Sequence, residues 1–180
     1  MVARRQLEML KAALPGLARV ALLGDSGAAP TLFVSNERAA QTMGLQVSTV
    51  KVERVAAPDF DAAFEAAKRE GAGAMLVLST PVTTAHRKRI GELALKHRLP
   101  TLAPRDHADA GMLLSYGTSF LEATRRAASL TDRLLKGAKP ADVPVESVAR
   151  HELIVNLKTA REIGVTLPAA VVGAAAQVIQ

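Results

Sequence analysis

The chain has 180 residues, enough for one domain of ordinary size with a core of its own. Hydrophobic residues make up 49% but aromatics only 3%, so the core is expected to be aliphatic, and the absence of cysteine excludes disulfides and thiolate metal sites. A net charge of +6 permits an anionic partner without requiring one, and no apolar run reaches the roughly 18 residues of a membrane span.

In chain order, a helix over about residues 3–14 comes first. "RVALLG" (19–24) then has the form of a strand buried on both faces. The next helix places Leu32, Asn36, Ala39, Ala40 and Met43 near one face and stops at Gly44. "LQVSTVKVE" (45–53) alternates with period two. "PDFDAAFEAAKREG" predicts a helix with Phe60, Ala63, Phe64 and Ala67 inward. "AMLVLS" (74–79) is a third strand, and "TTAHRKRIGELALKHR" a helix with Ile90, Leu93, Ala94 and His97 inward. "TLA" (101–103) and "GMLLSYG" (111–117) are the fourth and fifth strands. A long helix runs from about 119 to 136 with Leu121, Thr124, Ala127, Ala128, Leu134 and Leu135 on its stripe.

Strands separated by helices pair in parallel, because each crossover needs a helix-sized connection. The expectation is a Rossmann-like three-layer α/β/α lobe, residues 1–140, around a mainly parallel five-stranded sheet. Ligands of such sheets sit outside the carboxyl ends of the strands. Four segments share that rim: 24–27, 79–84, 104–107 and 116–119. "KGAKPADVPVE" (136–146) reads as a linker. It leads into a tail over 141–180: a strand "ELIVNL", a short helix started by Asn156 and stopped at Gly164, and a last helix with Pro168 in its first turn.

"GDSGAAP" (24–30) is the most tempting motif. It is similar to the nucleophile motif of trypsin-like proteases, but those are disulfide-containing β-barrels with the histidine upstream, and here no histidine precedes His86. The better enzyme match is the GDS-type esterase family, with Ser26 as nucleophile after the first strand. That serine needs a base, and the Asp-x-x-His element that would supply one is absent, as is the Gly-x-Asn-Asp oxyanion element. The plainer reading is a loop offering backbone N–H groups to a ligand or water. No Gly-x-Gly-x-x-Gly or phosphate loop occurs. His86, His97, His107 and His151 lack metal-ligand spacing, so neither a metal nor a cofactor is expected. "HRKRIGELALKHR" holds Arg87, Lys88, Lys96 and Arg98, which could meet phosphates. Without interleaved aromatics it reads better as a solvated helix face, and no nucleic acid is expected.

The only tyrosine, Tyr116, ends the fifth strand on the ligand rim. It offers a flat face and a hydroxyl to a small solute, or it merely fills a strand end. Gly117 lets a ligand approach the backbone, and Thr118 or Ser119 caps the following helix, whose N-terminus favours an anionic group.

Three segments carry a resemblance: "LKAALPGLARVALLGD", "LALKHRLPTLAPRDHADAGMLLSYGTSFLEATRRAASLTDRLLKGAKPADVPVE" and "ELIVNLKTAREIGVTLP". The chain resembles the ABC-transporter solute-binding proteins of the tryptophan and amino-acid receptor type, with a periplasmic-binding-protein type I fold. The resemblance implies two hinged lobes, of which the first is missing here, with the tail returning to that lobe. It implies a non-enzymatic receptor for a small solute such as an amino acid, a permease as partner, and a periplasmic or membrane-anchored location, with the signal outside this sequence. Its solute contacts would be Gly24, Asp25 and Ser26, Ser79 and Thr80, Arg105 and Asp106, and Tyr116 and Gly117. Asp106 would meet an ammonium group and Arg105 a carboxylate. The alternative for those two is a mutual surface pair. An exposed "ELIVNL" edge would invite a homodimer through the tail.

Overall fold

A computed structural model describes residues 2–53, 58–144 and 151–180. The part of the expected linker from residue 145 onward lies outside the described residues. The chain begins with α1 (Val2–Ala13) and continues through β1 (Arg19–Asp25), α2 (Pro30–Thr42), β2 (Gln46–Val52), α3 (Phe60–Arg69) and β3 (Ala74–Val77). It then forms α4 (Pro81–Ala85), α5 (Arg87–Lys96), β4 (Thr101–Ala103), a short 3-10 helix (Arg105–Ala110), β5 (Leu114–Gly117) and α6 (Phe120–Leu135). After a 3-10 turn at Pro140–Asp142 come β6 (Glu152–Asn156), α7 (Leu157–Ile163), α8 (Ala169–Gly173) and β7 (Gln177–Ile179).

Among the described residues, seven strands lie in one sheet, in the order β2-β1-β3-β4-β5-β6-β7. The first five pair in parallel as the crossovers require, Val20 standing beside Val47 on one side and Ala74 on the other. Alternation along β1 sends its side chains to two cores. Val20 and Leu22 join Leu7, Leu10 and Phe33 under α1 and α2, while Ala21 and Leu23 join Phe60, Phe64, Ile90 and Leu93 under α3 and α5. Helices therefore cover both faces, which is why the strands read as continuous apolar runs.

Local chemistry explains several boundaries. Asp59 accepts from the Ala62 N–H at 2.9 Å and starts α3. Asn156 accepts from the Thr159 N–H at 2.9 Å and starts α7, which Gly164 ends in the left-handed conformation at φ +76°. The helix expected over "TTAHRKRIGELALKHR" is two helices, α4 and α5, meeting at His86. Thr80 and Thr83 form a capping box at the start of α4, and the His86 ring packs on Phe60 with centroids 5.5 Å apart.

The tail departs from expectation. β6 runs antiparallel to β5 and is flanked on its other side by β7, a strand the sequence reading did not anticipate. "ELIVNL" is thus an interior strand with Leu153 to Asn156 buried, and the exposed edge on which a tail-mediated homodimer rested does not exist. Nor does the tail leave this lobe: Ala160, Ile163 and Val171 enter its first core. The element that stands apart is α6. Its expected apolar stripe forms, yet α6 buries no residue, and Phe120, Leu121, Leu134 and Leu135 are exposed.

Candidate functional site

A cavity of about 640 Å³ opens at the carboxyl ends of β3, β4 and β5. α1 and α2 wall one side through Gln6, Leu32 and Asn36, and the first turn of α6 walls another through Phe120 and Ala123. The location is the one that parallel sheets favour, beside the point where strand order reverses between β1 and β3. A depression of about 690 Å³ at the opposite edge, around 13–19, Gly71 and Gly73, gathers none of the candidate residues.

Of the nine candidates, Ser79, Arg105, Asp106, Tyr116 and Gly117 line the rim cavity, and Gly24, Asp25, Ser26 and Thr80 do not. Gly24 has a packing role, because a Cβ there would lie 2.6 Å from the Phe33 ring. Asp25 is buried, and its Oδ1 accepts from the Gly27 N–H at 3.0 Å, closing the turn after β1. Ser26 donates to the Glu53 carboxylate at 3.1 Å. A hydroxyl held by a carboxylate lacks the histidine relay of the esterase reading, which gains nothing from this geometry. Thr80 is buried in its capping box with Thr83, whose hydroxyl donates to the Leu78 carbonyl at 2.7 Å.

At the cavity itself, Tyr116 stacks on His151 with ring centroids 5.7 Å apart and an interplanar angle of 19°. Its backbone carbonyl accepts from the Gln6 side-chain amide at 3.2 Å, which ties α1 to the end of β5. Arg105 donates through Nε and Nη2 to one oxygen of Glu152, at 3.1 and 2.9 Å. Its Nη1 is 3.7 Å from Asp106. The mutual pair weighed above is therefore the minor contact, and the main partner of Arg105 comes from β6. Asp106 accepts from the Phe120 N–H at 3.1 Å, and Ser119 caps α6 by accepting from the Glu122 N–H at 3.3 Å. The helix N-terminus that was expected to attract an anion already holds the carboxylate of Asp106. Asn36, Gln6 and His151 are cavity residues that the sequence reading missed. Asn36 stood on a helical stripe, where burial rather than a site was the readable signal.

Several charged groups away from the cavity form ordinary pairs. Arg89 and Lys96 both hold Asp61, at 2.6 and 3.0 Å, and Arg87 meets Asp109 at 3.4 Å. Hydrogen bonds from Lys96 and then Arg89 hold the Asp61 carboxyl below its usual range. Arg87, Arg89 and Lys96 of the basic segment are thus each paired with a carboxylate. His107 is buried, with Nε2 3.3 Å from the Thr84 hydroxyl; burial first, and the nearby positive charge of Arg87 second, lower its pKa. Among the described residues no helix is long and apolar enough to cross a membrane, and no three His, Asp or Glu side chains converge as a metal site.

Several solved structures share the fold. The chain matches a conserved domain protein from Vibrio cholerae O1 biovar El Tor with a TM-score of 0.86 at 18% identity, over 98% of this chain and 60% of that one. It matches the ABC domain in complex with L-Trp from Streptococcus pneumonia with a TM-score of 0.81 at 23% identity, over 99% and 62%. A ligand-free, open substrate-binding protein with adhesive properties from Clostridium difficile gives 0.71 at 14% identity, over 100% and 60%. The chain thus spans about 60% of the length of these structures. A search of curated proteins found no match. The model of the ABC transporter substrate binding protein family matches residues 1–179. With that match, and with a type I periplasmic-binding lobe that carries its cavity at the strand ends, the chain belongs to the ABC transporter substrate-binding protein family.

Proposed function

We propose that this chain is the solute-binding lobe of the receptor of an ABC importer, and that it takes a small organic solute such as an amino acid at the rim cavity. The observation that carries this reading is the cavity at the ends of β3, β4 and β5, with the chain's one tyrosine on its wall. The lobe performs no chemistry in this reading. Its partner is a permease, and its place is outside the cytoplasmic membrane.

The reading includes a second lobe. α6 is amphipathic yet has no buried residue, and the related structures are longer than this chain. In our reading the other lobe covers the exposed apolar face of α6. The excursion out of this lobe is then residues 118–144, in place of the tail that the sequence suggested, and 151–180 complete the lobe built by 2–117.

The test is thermal unfolding of the chain with each of the twenty amino acids. L-Tryptophan comes first, because a structure of this fold binds it. A solute at a hundred times its Kd stabilises by about 2.7 kcal/mol, a rise in Tm of roughly 5–10 °C for a chain of this length. Tyr116→Ala should remove that rise. A Tm unmoved by every amino acid would overturn the amino-acid reading, and a rise retained in Tyr116→Ala would move the site elsewhere.

A further inference from the structure

Among the described residues, Asn36 is the one buried polar side chain in the lining of the rim cavity, at 3% exposed. Its Nδ2 donates to the Leu32 carbonyl at 2.8 Å. A carbonyl only accepts, so this bond fixes the orientation of the amide and leaves Oδ1 as its other end. Oδ1 is buried and has no hydrogen-bond partner among the described residues. Other buried polar atoms lack a partner too, on Asp25, Ser48, His97, His107 and Ser115, but none of those residues lines the cavity. Solvent barely reaches Oδ1, and a buried acceptor without a donor is unfavourable. Nor does α2 need the amide. The Leu32 carbonyl also accepts from the Ser35 hydroxyl at 3.0 Å, and an aliphatic side chain at position 36 would continue the buried stripe of Phe33 and Ala40 without that cost.

Gln6, on α1, repeats the arrangement in a more open setting. Its Nε2 donates to the Tyr116 carbonyl at 3.2 Å, and its Oε1 has no partner among the described residues. The wall formed by α1 and α2 thus carries two amide oxygens without donors. An amide oxygen accepts and cannot donate. Such a wall suits a group with several N–H donors, as an ammonium has, better than it suits a carboxylate.

We propose that Asn36 is a solute-recognition residue, whose Oδ1 accepts an N–H of the solute's amino group when the solute seats against α2, with Gln6 Oε1 as the second acceptor on that wall. The proposal rests on the receptor reading above and deepens it. It moves the amino-group contact from Asp106, where the resemblance implied it, to α1 and α2.

The test is calorimetric titration of the full chain, wild type and Asn36→Leu, with two probes: L-tryptophan, and indole-3-propionate, which has the same ring and carboxylate without the amino group. The wild type is expected to bind L-tryptophan at least about tenfold more tightly than indole-3-propionate. In Asn36→Leu the Kd for L-tryptophan should rise by about tenfold and that for indole-3-propionate should stay. Without a probe, the variant should unfold in urea at or above the wild-type midpoint, because the unpaired acceptor is gone. In the 15N-labelled wild type, the side-chain amide signal of Asn36 should move with L-tryptophan and not with indole-3-propionate. An unchanged Kd for L-tryptophan in the variant would overturn the proposal and leave the receptor reading standing. So would a lower midpoint with equal loss of both probes, the mark of an amide that holds a buried water. Should the variant fail to fold, an Asn36 signal that L-tryptophan leaves still would overturn it. A wild type silent to L-tryptophan would overturn it too, and the receptor reading would fall with it only if the other nineteen amino acids were silent as well.

Discussion

Gly91 offers the sharpest check on how the site is positioned. It lies in the interior of α5, where replacing glycine with alanine ordinarily gains up to about 1 kcal/mol of helix stability. Here a Cβ would lie 1.6 Å from the Ala110 carbonyl oxygen and 2.8 Å from its carbon. Those are backbone atoms of the 3-10 helix that carries Arg105 and Asp106, so no side chain can swing aside. α5 or the 3-10 helix must retreat by roughly 2 Å to restore ordinary contact. Overpacking of this kind typically costs about 1–3 kcal/mol and sometimes more, and the unyielding neighbour argues for the upper end. Gly91→Ala is therefore expected to destabilise by about 3 kcal/mol, read as a lower urea midpoint at unchanged slope. Gly173→Ala in α8, with nothing within 4 Å, is the control and should be neutral or slightly stabilising. Gly91→Ala unfolding at or above the wild-type midpoint would refute the reasoning, for it would mean that α5 and the rim do not meet as closely as described.

Other outcomes follow from single groups. Asn156→Ala removes the cap of α7 and should lower stability by about 1–2 kcal/mol in the same assay. Gly117→Ala meets no atom closer than 3.6 Å, but φ of +153° there is glycine territory, so it should cost about 1–3 kcal/mol by backbone strain alone. His107 has its pKa lowered by folding, so below the unfolded value of 6.5 the unfolded chain binds the proton more readily. Its contribution is complete above that value and is lost as pH falls toward the folded pKa. A stability profile from pH 7 to 5 should accordingly flatten in His107→Gln, and equal slopes in the two proteins would refute the assignment.

Much of the fold was legible because its signals are local. The runs at 19–24 and 74–79 are apolar throughout since both faces of the sheet are covered, and Gly44 and Gly164 end helices with positive φ. The short strand β7 escaped notice because "QVI" is too brief to show a period, and its partner β6 makes it a strand. The lining of the candidate cavity was half legible. Strand ends gave Ser79, Arg105, Asp106, Tyr116 and Gly117, since topology alone brings them to the rim. What no pattern could give was the partner of each charge. Arg105 and Glu152 are far apart in sequence and meet only because β6 turns back along β5.

That return of β6 has a consequence for how the chain is assembled. Gly117 pairs directly with Glu152, so β5 and β6 have the register of an ordinary hairpin with residues 118–151 spliced into its turn. Because α6 buries nothing against the sheet, the splice should be removable. A two-residue Asn-Gly turn in place of 118–151 would close the hairpin and yield a minimal module that still unfolds cooperatively, without the Phe120 mouth of the cavity. Of the two Tyr and Phe rings at the cavity, Tyr116 sits on the hairpin and Phe120 on the inserted arm, so the splice alone decides whether both line it.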